Sequence, residues 1–216
     1  EEGCSHAVME VSSHALAQGR VSASSFAGAV FTNLTQDHLD YHGTLAEYCS
    51  SKAKLFAMLD CAGDNRYGVI NVDDKSAAIF AQCCQAQTWT YGTQEGATLR
   101  LLHYSASITG MKFNLTYDGT QYAVQIPLIG KFNIYNALAA MAVALAEGLT
   151  MTDVVAWLAE APQVAGRFEL IDEGQDYAVV VDYAHTPDGL ENLLGAARAL
   201  NPRRLITVFG CGGNRD

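Results

Sequence analysis

Short apolar runs alternate with longer stretches of helical period along this chain, the pattern of an α/β protein. Residues 7–11 and 29–34 read as strands. Thr44 opens a helix with Glu47 three residues on, the spacing of a capping box, and the periodicity carries that helix to about Leu59. Residues 68–72 read as a buried strand, 76–85 as a helix and 89–91 as a short strand. The stretch 99–129 changes character. It alternates, carries Thr and Tyr, and turns at Asp118-Gly119, so it predicts an antiparallel ribbon. An Ala-rich helix follows over 133–147 with Gly148 as its stop, and another starts at Thr152 and ends before Pro162.

Past 162–166 the pattern restarts. Strands are predicted at 168–171 and 178–181, then a helix capped by Thr186 with Pro187 in its first turn, ending by Asn201-Pro202. A last strand over 205–209 runs into Gly210-Cys211-Gly212-Gly213. This places a boundary near residue 163 and divides the chain into units 1–163 and 164–216. The chain starts without Met and ends directly after a Gly-rich turn, so it reads as a piece of a longer protein.

Composition narrows the classes. Half the residues are hydrophobic and 17% are charged, which supports a packed core and argues against disorder. A net charge of −10 disfavours nucleic acid as a partner, and the densest basic spot is only Pro202-Arg203-Arg204. The longest apolar run, 137–146, is too short to span a membrane, and no signal peptide is visible. The cysteines lack C-x-x-C spacing, which suits reduced thiols in a cytoplasm.

Several stretches could carry chemistry. Asp37-His38-Leu39-Asp40-Tyr41-His42 packs two Asp and two His behind an apolar run, where an α/β sheet presents its ligands. A metal or phosphate site and a solvated, helix-capping loop are equally good readings of that spacing. Glu10 closes an apolar run and precedes Ser12, Ser13 and His14, so it suits Mg²⁺, while the serines also suit a helix N-cap. Lys52 falls in the middle of the apolar stripe Leu45, Tyr48, Phe56 and Leu59. A buried lysine is either neutral and functional or snorkels to solvent, and the pattern alone favours snorkelling. Asp182, just past an apolar strand, could accept from a ribose, and Arg167 in the linker could reach a phosphate. No G-x-x-x-x-G-K-[ST] and no zinc-type spacing occurs.

Taken together, these stretches resemble the Mur ligase family. Glu10-Val11-Ser12-Ser13-His14 with Gln18 and Arg20, then Asn33-Leu34-Thr35-Gln36-Asp37-His38-Leu39-Asp40-Tyr41-His42-Gly43, then Lys52, resemble its central domain. Phe132-Asn133-Ile134-Tyr135-Asn136-Ala137-Leu138-Ala139-Ala140 matches a further motif. Asp182-Tyr183-Ala184-His185-Thr186-Pro187-Asp188 and Phe209-Gly210-Cys211-Gly212-Gly213-Asn214-Arg215-Asp216 are similar to the MurE branch. The resemblance implies a central ATPase-type domain, incomplete at its start, followed by the beginning of a Rossmann-like domain. It implies a monomeric, cytoplasmic enzyme that uses ATP and Mg²⁺ to join a diamino acid, meso-diaminopimelate or L-lysine, to UDP-MurNAc-L-Ala-D-Glu. Ser12, Gln18 and Arg20 would hold that nucleotide-linked substrate. Glu10, His38 and Lys52, the last carbamylated, would serve the metal. Asn136, Arg167, Asp182 and His185 would contact ATP, with Arg167 and the Asp182 turn brought in by closure of the second unit. Lys52, His38 and Arg167 would be the catalytic set. The family's Gly-rich ATP loop and UDP-binding domain would lie upstream of Glu1, so residues 1–216 alone are expected to be inactive.

Other readings stay open on the residues. Another Mur or folylpolyglutamate-type ligase is one. A metal-dependent phosphohydrolase using Asp37, His38, Asp40 and His42 is a second, and a non-catalytic binding module derived from a ligase is a third.

Overall fold

One six-stranded sheet organises the chain. The computed structural model describes residues 3–35, 39–59 and 65–210, with 39 and 40 described by backbone alone. The elements in chain order begin with α1 (Ser13–Ala17), β1 (Gly28–Phe31), α2 (Leu39–His42), α3 (Leu45–Ala57) and β2 (Tyr67–Asn71). Next come α4 (Ala77–Cys83), β3 (Gln87–Gly92), β4 (Leu99–Ser107), β5 (Gly110–Tyr117) and β6 (Thr120–Ile126). Helices α5 (Lys131–Ala146) and α6 (Met151–Ala159) follow, then β7 (Glu169–Ile171), β8 (Val179–Val181) and α7 (Pro187–Ala199).

Strand order in the sheet equals sequence order, β1 to β6. β1, β2 and β3 run parallel, and β2 is buried along its whole length. That burial explains its continuous apolar run, because helices cover both faces of a parallel sheet. Tyr67 and Val69 join the core shared with α5 and α6, while Ile70 joins the one shared with α3 and α4. Alternate residues of one strand therefore serve two cores. On the α3–α4 side Phe80 stacks on Phe31 at 3.7 Å and meets Phe56 edge-on at 5.3 Å. A Cβ on Gly68 would lie 2.6 Å from the Cys84 sulfur and 3.2 Å from the Phe56 ring, so only glycine lets α3 come this close.

β3 and β4 overlap by two residue pairs, and Thr90 and Thr98 close the joint by exchanging amide-to-hydroxyl bonds of 3.1 and 2.9 Å. β4, β5 and β6 then form an antiparallel meander that turns at Asp118-Gly119 as the sequence predicts. A bulge in β4 between Leu101 and His103 shifts the register, after which Tyr104 stands opposite Phe113. β7 and β8 form a separate antiparallel pair.

Most predicted elements appear with ends moved by a residue or two. Thr44, Thr150 and Thr186 are N-caps whose hydroxyls accept from the backbone three residues on. Thr150, not Thr152, starts α6. Two predicted strands are absent. Residues 6–12 and 202–210 have no strand pairing, and Val8 and Val208 are almost fully exposed. An apolar run becomes a strand only where a neighbour takes its backbone groups, and neither run has one among the described residues. β1 ends at Phe31 rather than at Leu34, because side chains take over the next backbone groups. Asn71 donates to the Thr32 carbonyl at 2.7 Å, and Asp74 accepts from the Leu34 amide at 2.8 Å.

Candidate functional site

Two groups of polar side chains stand out. The first joins α1 to α2 and α3. Ser12 caps α1, accepting from the Ala15 amide at 3.2 Å. Gln18, at the other end of the helix, donates to the Tyr41 hydroxyl at 3.4 Å and accepts from Arg20 Nε at 2.9 Å. His42 is buried, with Nε2 2.9 Å from the Ser13 hydroxyl. Its ring lies among those of His14, Tyr41 and Tyr48. The structure therefore brings Gln18 and Arg20 together with the end of the 37–42 motif. Glu10 is exposed in the irregular segment before α1.

Lys52 differs from its expectation. The buried positions of α3 are Tyr48, Cys49, Ser51, Ala53 and Phe56, and Leu45 is exposed in the first turn. Lys52 is half-buried at the border of that face, with Nζ 5.1 Å from the centre of the Tyr48 ring. His38 lies outside the described residues, as does Asp37. Among the described residues no group of three or more His, Cys, Asp or Glu could hold a metal ion. The phosphohydrolase reading needs His42 as a ligand, yet that ring is buried against Ser13 and three aromatic neighbours.

The second group lines a cleft of about 1060 Å³. One wall belongs to the six-stranded sheet and α5. The segment after β1 (Thr32, Asn33, Thr35), Asn71 at the end of β2, and the first turn of α5 all face it. Within α5 the side chains hold one another. Asn133 donates to the Ile129 carbonyl at 2.9 Å, and Asn136 donates to the Asn133 side-chain oxygen at 3.1 Å. Asn136 is exposed and lines the cleft. The N-terminus of α5 at Gly130 has no side-chain cap, and the Asn133 amide donates back to the Gly130 carbonyl at 3.0 Å. Tyr135 is fixed from behind, donating to Asp73 at 2.6 Å, and Asp73 also accepts from the Thr93 amide and hydroxyl. Burial first, and then the Asp73 carboxylate, push the Tyr135 hydroxyl pKa upward.

The opposite wall comes from residues 164–199. Arg167, Asp182 and His185 all line the same cleft as Asn136. The Arg167 guanidinium lies 5.4 Å from the Tyr183 ring centre. His185 Nδ1 is 2.9 Å from the Tyr183 carbonyl, which orients its ring. Asp182 accepts from the Phe168 amide and from the Ala184 amide, both at 2.7 Å. The cleft thus offers cationic, amide and hydroxyl groups over a volume that suits a nucleotide.

Reading the sequence alone missed Asn71, Asp73, Tyr104 and Tyr183 as members or supports of this cleft. Asn71 and Asp73 carried a usable signal: polar residues at and just past the end of an apolar strand, the logic that picked out Glu10 and Asp37. Tyr104 carried none, because the bulge that turns it toward the cleft has no local signature.

The family model described as "Mur ligase middle domain" matches residues 1–144, and that described as "Mur ligase, glutamate ligase domain" matches 166–216. The chain is 47% identical over 216 residues to a UDP-N-acetylmuramoyl-L-alanyl-D-glutamate–2,6-diaminopimelate ligase of Solibacter usitatus, covering 99% of this chain and 43% of the relative. It is 46% identical over 219 residues to the enzyme of that name in Geobacillus kaustophilus, covering 100% and 45%. A solved structure of a ligase with the same name superposes with a TM-score of 0.76 at 36% identity, over 95% of this chain and 42% of that one. The MurF ligase of Thermotoga maritima in complex with ADP shares the fold, with a TM-score of 0.70 at 19% identity over 82% of this chain and 40% of that one. The chain spans under half the length of the curated relatives it matches.

Proposed function

Because the chain belongs to the Mur ligase family, we propose that the complete gene product joins a diamino acid to UDP-MurNAc-L-Ala-D-Glu at the expense of ATP, within peptidoglycan synthesis. The observation that carries this reading is the single cleft lined by Asn136, Arg167, Asp182 and His185, four residues expected to meet ATP. The names of the relatives favour the ligase reading over the phosphohydrolase and binding-module readings. The names of the relatives favour 2,6-diaminopimelate over L-lysine as the incoming amino acid. The division into units at 163/164, the cytoplasmic location and the monomeric state are part of the same proposal.

The reaction runs in two steps. The γ-carboxylate of D-Glu attacks the terminal phosphorus of ATP, forming an acyl phosphate and releasing ADP. The amino group of the diamino acid then attacks the acyl carbon, the amide forms, and inorganic phosphate leaves with its bonding pair. Such chemistry rests on positioning and charge neutralisation, so no covalent protein nucleophile is needed. Gln18 and Arg20, bonded directly to each other with Gln18 also donating to Tyr41, orient the nucleotide-linked substrate with Ser12. Asn136, Arg167, Asp182 and His185, which line one cleft, contact ATP. Mg²⁺, which takes oxygen donors and keeps its waters, would be served by Glu10, His38 and a carbamylated Lys52. When bound it would screen phosphate charge.

The test is direct. The complete gene product, given ATP, Mg²⁺, UDP-MurNAc-L-Ala-D-Glu and diaminopimelate, should yield UDP-tripeptide, ADP and phosphate in equal amounts. Arg167→Ala and Lys52→Ala should each lower kcat/KM by about a hundredfold or more, the scale for removing a charged group that stabilises a transition state. Phosphate release without the diamino acid, at the full rate, would return the phosphohydrolase reading.

A further inference from the structure

Behind the sheet-side wall of the cleft, the turn after β2 binds three separate parts of the chain. The Asn71 side chain donates to the Thr32 carbonyl at 2.7 Å, and Asp74 accepts from the Leu34 amide at 2.8 Å. Asp73 reaches the other way. One carboxylate oxygen accepts from the Tyr135 hydroxyl at 2.6 Å and from the Thr93 amide at 2.8 Å, and the other accepts from the Thr93 hydroxyl at 3.0 Å. Its own amide donates to the Asn71 side-chain oxygen at 3.1 Å. A series of bonds thus runs from α5 through Asp73 and Asn71 to the segment after β1. The approach is close. A Cβ on Gly92 would lie 2.9 Å from the Asp73 carboxylate, so glycine leaves the room this group needs. Asp73 is not among the residues that line the cleft, whereas Lys131, Tyr135 and Asn136 are. Its reach into the site is therefore through Tyr135. Burial of Ile134 and Ala137 seats α5 on the core. The Tyr135 bond adds a directional contact on the cleft side of the helix, one residue before Asn136.

We propose that Asp73 is a positioning residue for ATP: it holds Tyr135, and with it the cleft-facing turn of α5 that carries Asn136, in register with the segment after β1. The proposal deepens the ligase reading and rests on it for its kinetic part only. The arrangement requires an oxygen acceptor more than it requires a charge. An asparagine at position 73 keeps one oxygen for Tyr135 and the Thr93 amide, and its NH₂ donates to the Thr93 hydroxyl, which turns to accept. An alanine provides neither.

The experiment compares wild type with Asp73→Ala, Asp73→Asn and Tyr135→Phe in the complete gene product, by steady-state kinetics and amide hydrogen exchange. Asp73→Ala and Tyr135→Phe should each raise KM for ATP by about tenfold, the scale for one hydrogen bond to a charged group. KM for UDP-MurNAc-L-Ala-D-Glu and for diaminopimelate should move by less than about twofold. Asp73→Asn should recover most of the loss, with KM for ATP raised by less than about threefold. Both positions act through one bond, so Asp73→Ala combined with Tyr135→Phe should be no worse in KM for ATP than the poorer single variant. Exchange at Tyr135 and Asn136 should quicken by about tenfold in Asp73→Ala, while residues 141–145 of the same helix keep their rate. A role in stability alone would lower Tm and the active fraction and leave KM for ATP unchanged, and that result would overturn the proposal. Multiplied effects in the combined variant, or unaltered exchange at 135 and 136, would overturn it too. If Asp73→Ala does not fold, Tyr135→Phe, which leaves Thr93 on the carboxylate, decides by the same two readouts. An inactive wild type would remove the ligase reading, while the exchange data would still decide whether Asp73 holds the turn.

Discussion

The two walls of the cleft are built differently. The wall made by the sheet and α5 stands on a core: Ile134, Leu138, Met141 and Ala142 of α5 are all buried against β2 to β6. The wall made by 164–199 stands on local hydrogen bonds. Phe168 is the one buried residue among the described residues 166–210, and α7 buries none. Side chains of the first wall are placed by packing that the whole unit shares. Those of the second are placed by single contacts such as Asp182 to Phe168 and His185 to the Tyr183 carbonyl. Stability and nucleotide handling should therefore separate between the walls.

The largest expected effect lies in the first wall. Leu138 is fully buried, so Leu138→Ala should lower unfolding free energy by about 3 kcal/mol, as cavities in packed cores do. Urea unfolding followed by circular dichroism measures it. A loss under about 1 kcal/mol would mean that α5 is no better supported than the opposite wall.

Tyr135→Phe probes the same wall more gently. It removes one bond to Asp73, worth about 1.5 kcal/mol, and leaves Thr93 on that carboxylate. It also has a pH signature. The folded Tyr135 hydroxyl has its pKa raised above the ordinary 10.0. Its contribution is therefore complete below pH 10 and is lost as pH rises toward the folded value. Wild-type stability should fall above about pH 10, and Tyr135→Phe should flatten part of that fall. Tyr67 and Tyr91, raised chiefly by burial, and the Cys49 thiol, raised chiefly by burial, contribute to the remainder. An unchanged slope in the variant would detach Tyr135 from the effect.

The smallest effect belongs to the second wall. Thr186→Ala removes the cap of α7 and should cost about 1 kcal/mol, confined to that helix. Hydrogen exchange should quicken in α7 and stay unchanged in α5. Faster exchange in both helices would mean that the walls unfold as one.

The same contrast governs how far the sequence could be read. Features fixed within a few residues were legible: the Thr44–Glu47 box, the Asp118-Gly119 turn, Gly148 after α5, and Thr186-Pro187. Features that depend on a distant partner were not. Residues 7–11 and 205–209 look like strands but find no neighbour among the described residues. Lys52 looked central on its helix, yet the face of α3 that is buried is set by β1, β2 and α4, and that face runs through Cys49, Ala53 and Phe56. In the cleft, motif residues named Asn136, Arg167, Asp182 and His185. The pairing of Asp182 with an amide 14 residues earlier carries no local signature.

The mixed sheet also sets an order of assembly. β4, β5 and β6 close through tight turns between consecutive strands, contacts that a chain can make on its own in microseconds. β1 joins β2 across the two intervening helices α2 and α3, and the segment after it is fixed by Asp74 bonding Leu34, 40 residues away. Closing so long a loop carries an entropy penalty that only the later contacts offset. The meander is thus the part of the sheet that can exist first. The parallel strands, which carry Asn71 and the segment 32–35 to one wall of the cleft, are expected to join it afterwards.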